Sequence, residues 1–112
     1  MMIELIILAY LKTELSVPVV MEIPREKPSE FVLIEKTGSS VENFVVDSMF
    51  AIQSYSTSLY NAAALNEEVK AAMLNAVVLD EIASVDLNSD YNFTDGGAAE
   101  YRYQAVFDIT HY

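Results

Sequence analysis

The residues of this chain best suited to chemistry are four polar side chains that alternate near its C-terminal end: Asp86, Asn88, Asp90 and Asn92. The first three have the opening spacing of an EF-hand calcium loop. That loop also needs glycine at its sixth position and glutamate at its twelfth, where this chain has Tyr91 and Gly97. Because both diagnostic positions differ, the sequence predicts a solvated strand face and no metal site.

The remaining chemical candidates are two acidic pairs, at residues 67–68 and 80–81, and a single histidine. Neighbouring residues on a helix do not face each other, so neither pair is arranged for acid–base work. His111 is the penultimate residue, and chain ends are usually too poorly ordered to position a catalytic base. We therefore expect no catalytic residues, no cofactor and no enzymatic activity.

Composition favours one folded, acidic domain spanning residues 1–112. Hydrophobic residues make up 53% of the chain, which is enough for a core, and the absence of cysteine excludes disulfides and thiolate metal sites. The net charge is −11, and residues 37–112 carry eleven acids but only Lys70 and Arg102 as bases. A surface of this sign repels nucleic acid.

The N-terminal segment is apolar between Leu5 and Leu11, but this run is far shorter than the ~20 residues of a membrane span. Glu4 precedes it and Lys12 follows it, which is the wrong arrangement of charge for a signal peptide. We expect a protein that does not enter a membrane and that remains in the cytoplasm where it is made.

Hydrophobic periodicity predicts the elements that position these residues. Apolar residues at helical spacing predict helices from Met2 to Leu15 and from Leu59 to Val78. Strands are expected at residues 18–23, 31–36, 41–52, 82–95 and 101–110, with turns at residues 37–40 and 95–97. In the third strand, Phe44 should share a face with Val46, Phe50 and Ile52.

The order of these elements is α-β-β-β-α-β-β. Because the strands come in runs joined by short turns, we expect an α+β fold with a mainly antiparallel sheet of about five strands. The two helices should pack on one face of that sheet. Period-two alternation would place the four polar residues at positions 86 to 92 together on one face of the fourth strand.

Three strings in these strands resemble the tail-terminator, or tail-completion, proteins of long-tailed bacteriophages (siphovirus type) of Gram-positive bacteria. They are Phe31–Gly38 (FVLIEKTG), Ser89–Asp95 (SDYNFTD) and Tyr101–Ile109 (YRYQAVFDI). Chain length and element order are similar to that family as well, so the resemblance covers nearly the whole chain.

The resemblance implies a structural protein of the virion. Members of the family form a hexameric ring on the head-proximal end of the finished tail tube, which ends tube elongation. The ring then offers a surface to the head connector, and DNA passes through its lumen as cargo. The implied partners are further copies of the chain, the tail tube protein and the head connector protein. The ring would assemble in the cytoplasm of the bacterial host.

Two hypotheses about particular residues follow. The Asp86, Asn88, Asp90 and Asn92 face would line the lumen or a boundary between subunits. The loop that carries Arg25 and Lys27, the only basic cluster, would contact an acidic neighbouring protein.

Two other functions remain open from the residues alone. The first is a component of the head–tail connector ring, which would bind the filled head in preference to the tail tube. The second is an acidic inhibitor that mimics the charge of nucleic acid and binds a basic protein with strong salt dependence.

Overall fold

The computed structural model describes residues 2–96 and 100–112, and its elements follow the predicted order. The helices are α1 (Ile3–Glu14) and α2 (Leu59–Leu74), and a short 3-10 turn (Ala76–Val78) follows α2. The strands are β1 (Val19–Val20), β2 (Phe31–Glu42), β3 (Val45–Ser56), β4 (Ile82–Asn92) and β5 (Tyr101–His111). The predicted α-β-β-β-α-β-β order and the α+β class are confirmed.

The five strands form one sheet in the order β1-β2-β3-β5-β4. Only the two-residue contact of β1 with β2 is parallel, and the other three pairings are antiparallel, as predicted. Strand β4 is one edge of the sheet, and β2 beyond Leu33 forms most of the other. Both edge strands are irregular, with register shifts at Lys36/Gly38 in β2 and at Ile82/Ser84 and Leu87/Ser89 in β4.

Both helices cover the same face of the sheet, because each presents an apolar stripe to it. The stripe of α1 is Ile3, Ile7 and Leu11, and that of α2 is Leu65, Val69 and Met73. These side chains pack on alternate strand residues, including Ile34, Phe50, Ile52, Phe107 and Ile109. Burial of this apolar area supplies most of the stability of the fold.

The other face of the sheet, which we call the helix-free face, has a small core of its own. Phe31, Leu33 and Tyr55 are buried there, and Val20 packs against them. The rings of Phe31 and Tyr55 stack in parallel with their centroids 4.4 Å apart. A sheet with apolar residues on both faces does not keep the simple alternation that one buried face imposes.

The hairpin between β2 and β3 differs from the prediction. Residues 37–40, expected as a turn, lie inside β2, and the chain reverses at Asn43 and Phe44. Both turn residues have positive φ, 51° and 65°, whereas Gly38 does not. The expectation that Phe44 shares a buried strand face is therefore wrong, since its side chain is 96% exposed. The predicted turn at 95–97 includes Gly97, which lies outside the described residues.

Helix α2 begins as predicted and ends earlier. Ser58 is its N-cap, and the Ser58 hydroxyl accepts a hydrogen bond from the backbone N–H of Asn61 at 3.1 Å. The helix ends at Leu74, and Val77 and Val78 follow in the 3-10 turn. β-Branched residues have lower helix propensity than the alanines before them, so the regular helix is not extended through them.

Candidate functional site

The four alternating polar residues of β4 do not share a face, and this corrects the prediction. Asp86 lies opposite Asp108 of β5, whereas Asp90 lies opposite Ala105, a core residue beneath the helices. Between these pairs, Leu87 and Ser89 face consecutive residues of β5, so Asn88 is the extra residue of a β-bulge. A one-residue shift exchanges the faces of a strand, so the bulge separates the set into two pairs.

Asp90 is on the helix side of the sheet and is held by α2. Its carboxylate accepts a hydrogen bond from the buried amide of Asn66 at 3.0 Å and forms an ion pair with Lys70 at 2.9 Å. Lys70 also pairs with Glu67 at 2.8 Å. Lys70 donates hydrogen bonds to Glu67 and Asp90, and both bonds raise the pKa of its ammonium group, the bond to Glu67 having the larger effect. Asn92, opposite Tyr103, lies on this side too.

Asp86 and Asn88 belong to an acidic half of the helix-free face, the part nearest the β2–β3 hairpin. Register places four acids there, contributed by four strands: Glu35, Asp47, Asp86 and Asp108. Asp86 and Asp108 are direct cross-strand partners, an arrangement that destabilises a sheet when both are charged. Thr110 donates a hydrogen bond to Asp47, and Asn88 donates one to Asp108. No ion pair joins these four acids to a base among the residues that the structure describes.

The other half of the helix-free face is a network of amides and aromatic rings. Three side-chain hydrogen bonds connect it, with donor–acceptor distances between 2.6 and 2.9 Å. Tyr55 donates one to Gln53, Gln53 donates one to Gln104, and Gln104 donates one to the hydroxyl of Tyr91. The bulge in β4 places Tyr91 on this face, because it makes Tyr91 the partner of Gln104. Side chains from three strands are thereby fixed to one another.

Arg102 joins this network to the chain segment beyond β4. Its guanidinium lies over the ring of Phe93, 4.6 Å from the centroid, and donates to the Phe93 carbonyl at 2.7 Å and to the Tyr55 hydroxyl at 2.8 Å. A planar guanidinium can stack on an aromatic ring and donate hydrogen bonds in its own plane at the same time, whereas an ammonium group cannot. Arg102 therefore holds the end of the sheet opposite the hairpin.

The predicted basic loop lies at this same end and borders a cleft of about 200 Å³. The cleft is lined by Ile23, Lys27, Tyr55, Asp95, Glu100 and Arg102. Lys27 pairs with Glu100 at 2.8 Å, so this predicted contact residue already has an acidic partner within the chain. Arg25 is exposed and forms no ion pair with the described residues, which leaves it accessible to a neighbour.

The opposite end of the sheet is the hairpin tip, residues 41–46. All residues from 35 to 44 are exposed, so the hairpin extends beyond the region covered by the helices. Val41 is 70% exposed and lies opposite Val46, next to the fully exposed ring of Phe44. An apolar tip of this kind is typical of a surface that binds another protein.

One pair that the sequence analysis missed is Ser48 and His111. Their side chains are buried, 63 residues apart in the chain, and the Ser48 hydroxyl lies 2.8 Å from Nε2 of His111. His111 sits in β5, opposite Val46, so the expectation of a poorly ordered chain end is wrong. Both groups face the helix side, and nothing in the sequence spacing signals their contact.

Neither the family models nor the curated proteins with which the chain was compared gives a match. Within residues 2–96 and 100–112, no group of three or more histidines or acids is arranged to hold a metal ion. No helix in that part of the chain is both long and apolar enough to cross a bilayer.

Proposed function

We propose that this chain is a structural subunit of a phage tail that forms a ring on the head-proximal end of the tail tube. The ring ends tube elongation, offers a surface to the head connector, and lets DNA pass through its lumen as cargo. Its partners are copies of itself, the tail tube protein and the connector protein. Its location is the head–tail junction of the virion, after assembly in the cytoplasm of the bacterial host.

The observation that carries this proposal is the acidic half of the helix-free face. Four acids from four strands lie there with no ion-pairing base in residues 2–96 and 100–112, and two of them oppose each other directly. Such an arrangement costs stability in the isolated chain, so a role in the assembly is its best explanation. A lumen lined by these acids would repel phosphates and let DNA slide without adhering. The lumen face is therefore assigned to Glu35, Asp47, Asp86 and Asp108.

The test replaces Asp86 and Asp108 with lysine and follows tail assembly and DNA ejection. Negative-stain images should still show capped tubes, whereas ejection should slow and become salt-dependent because the lumen now binds phosphate. The matched control is Glu68→Lys with Asp80→Lys, two exposed acids outside this face, which changes the net charge equally. Equal ejection by the two double variants would contradict the lumen assignment.

The same experiments separate the two other functions. A connector component would bind filled heads and ignore tube ends, and images with each particle decide between them. An inhibitor that mimics nucleic acid would also use an acidic surface, but as a monomer or dimer bound to a basic protein. Light scattering of the purified chain, followed by negative-stain images with and without tail tubes, distinguishes a monomer or dimer from a ring.

A further inference from the structure

The hairpin tip combines two unfavourable features in one residue. Asn43 and Phe44 both have positive φ, the left-handed region that two-residue hairpin turns require. Asparagine tolerates that region, whereas the second position favours glycine and a bulky residue there is strained. The ring of Phe44 is also 96% exposed, so it gains nothing from burial in the isolated chain. A contact outside the chain would account for both features.

We propose that Phe44 inserts into the cleft of a second copy of this chain, beneath the loop that carries Arg25. The inference rests on the proposed function, because it names the contact by which the ring subunits would join. The cleft measures about 200 Å³, and a cavity of about 150 Å³ is enough for a benzene ring.

The lining of the cleft combines one exposed apolar side chain, on which an aromatic ring can pack, with four charged residues. Ile23 contributes an apolar side chain that is 49% exposed, whereas Tyr55 borders the cleft but is only 4% exposed, with its ring stacked on Phe31. The guanidinium of Arg102 lies over Phe93 and Tyr55, 4.6 and 5.6 Å from the ring centroids, so a cation that attracts aromatic rings also lines the cleft. Glu42, next to the inserted ring, would approach the exposed Arg25, which has no ion pair among the described residues. Ile23 and Arg25 therefore match the apolar ring and the acid of the tip.

The geometry excludes contact between the tip and the cleft of one copy. Strand β3 begins at Val45, beside the tip, and ends at Ser56, beside the cleft, so the two sites are about 36 Å apart at ~3.3 Å per residue. Tip and cleft are different surfaces, so the contact is head-to-tail. Repeated contacts of this kind form a closed ring when the rotation between copies closes.

The test uses cysteines, because the chain has none of its own. The full-length double variant Glu42→Cys, Arg25→Cys retains Phe44 and places one thiol at each proposed surface. Mild oxidation of the concentrated protein, alone and on tail tubes, should give a ladder of disulfide-linked copies on a non-reducing gel. The matched control, Glu42→Cys with Tyr60→Cys, uses an 81% exposed residue of α2 and should give at least tenfold less ladder.

Adding Phe44→Gly to the first pair should abolish the ladder, while urea unfolding shows a midpoint at or above that of the parent because glycine relieves the turn. Equal ladders from the test and control pairs, or a ladder unaffected by Phe44→Gly, would overturn the inference. Cross-linking to the tube protein in place of a second copy would overturn it as well.

Rings that form with Phe44→Gly would refute this contact and leave the proposed function standing. A Phe44-dependent ladder in free protein that never caps tubes would support the contact and refute the tail function.

Discussion

Because the β-bulge at Asn88 places Asp86 and Asp90 on opposite faces of β4, we expect their replacement by alanine to change the stability of the fold in opposite directions. Asp90→Ala removes the acceptor of the Asn66 amide, a side chain that is only 1% exposed. An unpaired buried donor costs about 1–3 kcal/mol, and loss of the ion pair with Lys70 adds roughly 0.2–1 kcal/mol. The Oδ1 atom of Asn66 already lacks a partner among the described residues, so no second bond within the chain offsets the loss. We expect Asp90→Ala to destabilise the fold by about 2 kcal/mol.

Asp86→Ala should stabilise the fold, in contrast to Asp90→Ala. Asp86 is exposed, is four residues away on the same strand, and faces the carboxylate of Asp108. Removing one of two directly opposed like charges should stabilise the sheet by roughly 0.2–1 kcal/mol at low ionic strength. The gain should shrink in high salt, whereas most of the loss at Asp90 should not.

Urea unfolding at neutral pH measures both effects in one series. With a slope of ~2 kcal/mol per molar urea, Asp90→Ala should lower the midpoint by about 1 M, and Asp86→Ala should raise it by a few tenths. A double variant should show near-additive shifts, because the two residues share no partner. If the two single variants shift the midpoint equally and in the same direction, the assignment of these residues to opposite faces is refuted.

Three further substitutions test other contacts by the same unfolding assay. Ser58→Ala removes the N-cap of α2 and should cost about 1 kcal/mol, whereas Ser58→Asp should cost little. Tyr10→Phe removes the hydrogen bond to the Ala72 carbonyl and should cost about 1 kcal/mol at neutral pH. Burial, together with a nearby glutamate, raises the pKa of Tyr10 above 10.0. The stability that the Tyr10 hydroxyl contributes is therefore complete below about pH 10 and is lost as pH rises through the raised pKa. A constant difference in stability between wild type and variant up to alkaline pH would contradict this. Arg102→Lys keeps the charge but loses stacking on Phe93 and should cost roughly 1 kcal/mol, and an unchanged midpoint would show that charge alone suffices.

The sequence predicted the layout of the fold because the strongest signals were long and periodic. The apolar stripes of α1 and α2 and the alternation of β5 each repeat a spacing that only one kind of element accommodates. Their order then leaves few ways to build a sheet with both helices on one face. These features were confirmed without any knowledge of contacts between distant residues.

The faces of β4 could not be predicted, because apolar residues continue at odd positions on both sides of the bulge. Val85 belongs to the core beneath the helices, while Tyr91 joins the network on the helix-free face. Periodicity assumes a single apolar face, and this sheet buries residues on both. The hairpin turn was missed for a related reason: Gly38 gives the stronger local turn signal, yet the two residues with positive φ are Asn43 and Phe44.

The contacts that define the candidate site are almost all long-range. Strand register alone brings Ser48 to His111 and Asp86 to Asp108, and the ion pair of Lys27 with Glu100 joins two segments outside the strands. Charge counting along the sequence correctly identified an acidic protein. It could not show that four of the acids lie together on one half of one face, because that depends on which strands are neighbours.

If copies of this chain form the proposed ring, the irregular edges of the sheet also affect when they assemble. Each outer strand is interrupted by a bulge, at Lys36/Gly38 on one side and at two positions in β4 on the other. Interrupted edges resist the spontaneous addition of strands from other molecules, and a strong negative charge keeps dispersed copies apart. Freshly synthesised chains should therefore accumulate as a dispersed reserve with a high barrier to nucleation. A template that concentrates several copies at one place would lower that barrier and set the moment of assembly.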